Sequence, residues 1–266
     1  KPFITQLIDH YTTGSTLYMI ISYGSRGTVD TIVNNTNYFD RYQNVLKFFN
    51  QLITGMKEIH TSGNLHTDIK PNNIAVTQDW EPMIIDFNMT TKIKDSKFAM
   101  GTPECMAPEL FMAYFNGQKI KYDEEIDVYS LGVVFYAIIK KSFPYTLTSS
   151  NLYRNLMKAE IKFAADDRES YYKIVSSAVK PRSSRISFND FCDLVEKEFV
   201  KPNPKTLESD VSYRMIDFAN EKEKEFANGG DDFSELIEWA LISGFFLLLA
   251  LGVGYLIIMC LEKLQK

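Results

Sequence analysis

The feature that most restricts the fold is a loop-rich stretch, residues 64–109, that carries three polar clusters in a set order. His66-Thr67-Asp68-Ile69-Lys70-Pro71-Asn72-Asn73 comes first. Asp86-Phe87-Asn88 begins eighteen residues after Asp68, and Gly101-Thr102-Pro103-Glu104-Cys105-Met106-Ala107-Pro108-Glu109 closes the stretch. Asp, Asn, Gly and Pro favour turns over continuous helix or strand. Only the apolar runs Ile74-Ala75-Val76 and Met83-Ile84-Ile85 interrupt them, each of short strand length. The rest of the chain must therefore supply the scaffold that holds these loops.

That scaffold reads as strands first and helices afterwards. Residues 3–8 and, after a turn at Gly14, residues 17–21 have the apolar character and length of strands. From Phe39 to His60, Val45, Phe48, Phe49, Leu52, Ile53, Met56 and Ile59 recur at helical spacing, and Gly63 stops the helix. Helical patterns follow at 124–140, 150–159, 170–179 and 188–198. The order implies an α+β layout with a mainly helical body.

Composition fits a globular core, with 45% hydrophobic and 24% charged residues among 266. A formal net charge of −5 argues against a nucleic-acid partner. Cys105, Cys192 and Cys260 lie far apart, in neither a disulfide framework nor a zinc spacing. Residues 201–235 are polar and rich in charge, the pattern of a solvated linker. Trp239 to Leu261 then runs 23 positions without a charged residue. As a helix it would span about 34 Å, enough for a hydrocarbon core of about 30 Å. The expected organisation is a domain over 1–200, a juxtamembrane linker over 201–235, a transmembrane helix over 236–261 in the lipid bilayer, and a short tail over 262–266.

The three polar clusters resemble the catalytic loop, the metal-binding triplet and the substrate-docking segment of eukaryotic protein kinases. Asp127-Val128-Tyr129-Ser130-Leu131-Gly132-Val133 resembles the start of that family's long buried helix, and Phe143-Pro144-Tyr145 the turn after it. The resemblance covers residues 1 to about 200. It implies a kinase-like fold, mostly the helical C-terminal lobe with a remnant of the N-terminal sheet. ATP, Mg2+ and a protein substrate are then the expected ligands. Asp68 would be the base that orients the substrate hydroxyl, and Lys70 would reach the transferred phosphate. Asn73 and Asp86 would supply oxygen ligands to magnesium. Ile21 would stand beside the adenine pocket, Ser22, Tyr23 and Gly24 would form the hinge that bonds adenine, and Ala75 would help floor the pocket. His66 would pack against Phe87. Glu109 would meet Arg185 in a mostly buried, bidentate pair. Lys70 and Thr102 resemble the serine/threonine class.

The chain also departs from the pattern. Thr67 stands where the family usually has an arginine that grips an activation-segment phosphate, so phosphorylation of Thr90, Thr91 or Ser96 would lack that partner. Asn88 replaces a glycine, and Tyr129 a commoner tryptophan. No Gly-rich phosphate loop or strand lysine precedes Phe3, and the chain opens on Lys1 with no signal peptide at that end. An N-terminal part is therefore expected to be missing. The expected function is a membrane-anchored protein serine/threonine kinase whose lobe faces the cytosol. The alternative is a pseudokinase that serves as a membrane-tethered scaffold.

Overall fold

The computed structural model describes residues 1–144, 161 and 168–200. The predicted helix at 150–159, the linker at 201–235, the apolar helix at 236–261 and the tail at 262–266 lie outside them. Among the described residues no helix is long and apolar enough to cross a membrane.

The helical body is built on α2 (Tyr42–Thr61). Its predicted apolar face is buried at Val45, Phe48, Phe49, Leu52, Ile53, Met56 and Ile59. The helix starts later than the pattern suggested, because Phe39 is buried from a short 3-10 turn, Tyr38–Asp40. α3 (Pro108–Phe115) follows the polar loops, and α4 (Glu124–Lys140) then runs through the centre. α4 is buried around most of its circumference, which a helix this apolar requires. α5 (Glu169–Ala178) and α6 (Phe188–Val200) complete the body. Phe49 of α2 ties them together, its ring centroid 4.0 Å from that of Phe135 on α4 and 6.1 Å from that of Phe191 on α6.

The strands occur as two-stranded antiparallel pairs. β1 (Leu7–Thr13) pairs with β2 (Thr16–Ile21). A two-residue turn joins them, opened by Gly14 at φ 59°, a left-handed angle that glycine adopts without steric cost. The expected first strand at 3–8 is thus displaced. Phe3 sits at φ 60°, and residues 3–5 hydrogen-bond to Ile84 instead of joining the hairpin. Two further pairs hold the polar loops: β3 (Asn64–Leu65) with β6 (Thr91–Lys92), and β4 (Ile74–Val76) with β5 (Pro82–Ile84). β7 (Ser96–Phe98) pairs with β8 (Lys119–Lys121). A short helix α1 (Val29–Ile32) precedes α2, with Val29 fully buried.

Candidate active site

The chain from β3 to β4 is a loop pinned from below by one side chain, Asp127 of α4. Asp127 is completely buried. Its Oδ2 accepts from the His66 N–H at 2.9 Å and from His60 Nε2 at 2.8 Å, and its Oδ1 accepts from the Thr67 N–H at 2.9 Å. Burial raises this carboxyl's pKa, but the hydrogen bond and charge of His60, with help from His66 and the Thr67 N–H, outweigh it. The net effect holds Asp127 below the usual carboxylate range.

Thr67 itself adopts φ 65°, a sparsely populated region for a β-branched residue. Such a residue persists only where its surroundings over-determine it. Here its N–H is held by Asp127, and its hydroxyl donates to the Met89 carbonyl at 2.6 Å. That hydroxyl ties the loop to the segment just after Asp86-Phe87-Asn88. His66 is buried with its ring centroid 5.1 Å from that of Phe87, as expected. A hydrogen on His66 Nε2 satisfies both ring contacts, donating to the Ile85 carbonyl at 3.0 Å while Nδ1 accepts from the Asp68 N–H at 3.4 Å.

Above this base, three residues converge on one carboxylate. Asp68 is only 6% exposed. Its Oδ1 accepts from Thr102 Oγ1 at 2.7 Å, and its Oδ2 accepts from Lys70 Nζ at 2.7 Å and from Asn73 Nδ2 at 3.1 Å. Lys70 also donates to Thr102 Oγ1 at 2.8 Å. Lys70 and Thr102 come from the first and last of the three polar clusters, so the fold has closed the stretch on itself. The Asn73 amide nitrogen is spent on Asp68, which leaves its Oδ1 for another ligand.

Asp86 is not part of that cluster. It sits at φ 64°, its carboxylate is exposed, and one oxygen accepts from the Asn88 N–H at 3.4 Å. Its neighbour Ile85 donates its N–H to the Asn73 carbonyl at 3.0 Å, which sets the two candidate metal ligands on adjoining backbone. Carboxylate and amide oxygens are the hard donors magnesium accepts, so the residues present fit the ion. The other expected residues form a separate group. Ile21 is half exposed and Tyr23 is 83% exposed. The Ser22 N–H donates to the Gln6 carbonyl at 2.9 Å. Gly24 is pressed on β4, where a Cβ would come within 2.6 Å of that of Ala75. Only a residue without a side chain fits at that approach.

The third polar cluster has its own anchor. Arg185 spends all five N–H donors: Nη1 on Glu109 Oε1 at 2.6 Å and the Glu125 carbonyl at 2.9 Å, Nη2 on Glu109 Oε2 at 2.9 Å and the Lys180 carbonyl at 2.8 Å, Nε on the Lys180 carbonyl at 3.0 Å. Its side chain is wholly buried, and that of Glu109 is 19% exposed. The Ser130 hydroxyl adds a bond to the Cys105 carbonyl at 2.8 Å.

Sequence reasoning missed two contributors. Asp127 was placed at a helix start without its role as the loop's anchor, although an aspartate entering so apolar a helix was the signal. Thr102 served only to judge substrate class, and its bond to Asp68 had no sequence signal.

Residues 1–221 match the family model described as the protein kinase domain. Among curated relatives, citron rho-interacting kinase of Rattus norvegicus is 28% identical over 203 residues, covering 72% of this chain and 10% of the relative. A serine/threonine-protein kinase H1 homolog of Pinctada fucata is 27% identical over 187 residues, covering 67% of this chain and 42% of the relative. Serine/threonine-protein kinase GIN4 of Saccharomyces cerevisiae is 26% identical over 176 residues, covering 64% and 15%. The chain thus spans less than half the length of each of these relatives.

Proposed function

The chain belongs to the protein kinase family, and from that premise we propose that it carries the catalytic lobe of a membrane-anchored protein serine/threonine kinase. The observation that carries this reading is the cluster of Lys70, Asn73 and Thr102 around the buried Asp68. Phosphoryl transfer needs positioning and charge neutralisation more than covalent chemistry. Asp68 orients a substrate hydroxyl and accepts its proton, with Thr102 and Asn73 fixing the carboxylate. Lys70 offers an ammonium to the transferred phosphate from the same place. Asn73 Oδ1 and Asp86 would hold magnesium, which neutralises phosphate charge when bound. Ile21, Ser22, Tyr23, Gly24 and Ala75 would receive the adenine of ATP.

The test uses the full-length protein with magnesium and labelled ATP. Labelling of itself or of a protein substrate is expected, and Asp68→Asn and Asp86→Ala should each lower it by at least about 100-fold, Asp86→Ala without moving the thermal melt because Asp86 is exposed. Labelling undiminished in Asp86→Ala would overturn the reading, and no labelling at all would favour the scaffold.

Anchoring through residues 236–261 rests on the uncharged run from Trp239 to Leu261. ATP chemistry sets the lobe on the cytosolic side. Removal of residues 236–266 is expected to release the protein to the soluble fraction. Its retention on membranes through alkaline carbonate washing would refute the anchor.

A further inference from the structure

We propose that the β7–β8 ribbon is a docking surface for an acidic stretch of the protein substrate, beside the residue that is phosphorylated. This rests on the kinase reading above and names the substrate chemistry for the same site.

The first observation is charge segregation. The whole chain has a formal net charge of −5, yet residues 89–103 carry Lys92, Lys94 and Lys97 against the single acid Asp95, and residues 116–122 carry Lys119 and Lys121 with no acid. All five lysines are exposed. Within the described residues only Lys97 of the five is ion-paired, to Asp95 at 3.4 Å. Unpaired like charges held side by side favour an incoming anion and disfavour a cation.

The second observation is the register. Ser96 lies directly opposite Lys121, and Phe98 opposite Lys119. Residues opposite each other, and two apart along a strand, share a face. Ser96, Phe98, Lys119 and Lys121 therefore line one face, while Ile120 on the other packs against the core. On the open face Phe98 is 58% exposed, and the Lys119 ammonium stands 5.5 Å from its ring centroid. Lysines around an exposed aromatic ring suit an acidic peptide, whose carboxylates meet the ammonium groups while its apolar parts cover the ring.

The third observation is rigidity and position. The Tyr122 hydroxyl donates to the Phe98 carbonyl and accepts from the Met100 N–H, both at 3.3 Å. The Lys94 N–H donates to the Tyr122 carbonyl and the Tyr122 N–H to the Asp95 carbonyl, both at 2.9 Å. The surface is thus formed before anything binds it. From Phe98 the chain reaches Thr102 in four steps, at most about 14 Å. Thr102 donates to Asp68. A hydroxyl presented to Asp68 brings the next few residues of its own chain within reach of the ribbon.

The test is fluorescence anisotropy with the full chain and a short labelled peptide in which one serine is flanked by aspartates and glutamates. The comparison peptide has those acids replaced by asparagine and glutamine. The acidic peptide is expected to bind about 10-fold more tightly than the neutral one, with the difference shrinking as salt is raised. The double variant Lys119→Glu, Lys121→Glu is expected to lose that advantage and keep its binding of the neutral peptide. Both positions are exposed, so the variant should fold as the parent does. Equal affinity for the two peptides, or an advantage the variant keeps, would overturn the proposal. So would anionic vesicles or an oligonucleotide displacing the acidic peptide at lower concentration, since the surface would then serve a membrane or a nucleic acid. Binding is read without phosphotransfer. An acidic peptide that binds through these lysines but is never phosphorylated would sink the kinase reading and leave the docking surface standing. Phosphorylation with no preference for flanking acids would do the reverse.

Discussion

The loop around Asp68 and the β1–β2 hairpin obtain their shapes by opposite means. In the loop, side chains do the holding: Asp127, His66, Asp68 and Asn73 are all buried, and each has a hydrogen-bonding partner. In the hairpin every residue of both strands is exposed, including Ile8 at 66% and Met19 at 63%. Its register comes from backbone pairing and the Gly14 turn, with the Tyr11 and Tyr18 rings stacked at 4.8 Å. A hairpin held this way is marginal in isolation. A loop held by buried polar bonds tolerates unusual backbone angles, such as that of Thr67, because changing them would orphan several groups at once. Exposed hairpin positions are therefore the ones that tolerate change, and the buried loop positions are not.

The largest effect is expected at the anchor. Asp127→Ala leaves the His66 and Thr67 N–H groups and His60 without their acceptor, and should cost roughly 5 kcal/mol. For a domain of this size that lowers the melting temperature by about 10–20 °C. The same carboxylate gives an acid limb to stability. Its folded pKa lies below its unfolded value of about 3.9, so its contribution is present above that value and is lost as pH falls toward the folded one. Urea midpoints taken from pH 6 down to 3 should fall less steeply in Asp127→Asn than in the parent. An identical slope would mean the loop does not depend on this charge.

Next in size is the Glu109–Arg185 anchor. Arg185→Ala strands the partly buried Glu109 and two carbonyls, at roughly 3–5 kcal/mol. Arg185→Lys should fall between it and the parent, because an ammonium cannot make the two parallel bonds. If both variants melt with the parent, the pair contributes nothing measurable. The smallest effect belongs to the hairpin. Met19→Ser should change stability by no more than about 0.5 kcal/mol. A larger loss would show that this face is covered in the protein in solution, and would remove the contrast drawn here.

Much of the site could be read along the chain. Asp68, Lys70, Asn73 and Asp86 stood out as candidates because their spacing and their turn-forming neighbours survive in one dimension, and the fold brings the first three together. α2 was legible for a similar reason, since a helix buried on one face repeats its apolar residues at a period set by its own geometry. The first strand was not. Residues 3–8 have the apolar run of a strand, but the hairpin that formed buries none of its side chains, so the apolar pattern carried no information about it. Its position follows from the turn at Gly14 and from residues 3–5 being taken by Ile84.

The sequence alone set which chemistry is present: the acids, the lysine, the amide and the turns that carry them, together with the family they belong to. It also set the pairing of Glu109 with Arg185, 76 positions apart, through their places in a shared pattern. Where those groups meet came from packing across the whole fold. It placed Asp127 under the loop, brought the Thr102 hydroxyl to Asp68, kept Asp86 outside that cluster, and set Lys119 and Lys121 beside Phe98 on one face of a ribbon. Turn propensity and spacing act over a few residues and are written locally. The partner of a buried polar group is whichever distant segment packing delivers, because burial forbids leaving it unpaired and only the whole fold can satisfy it.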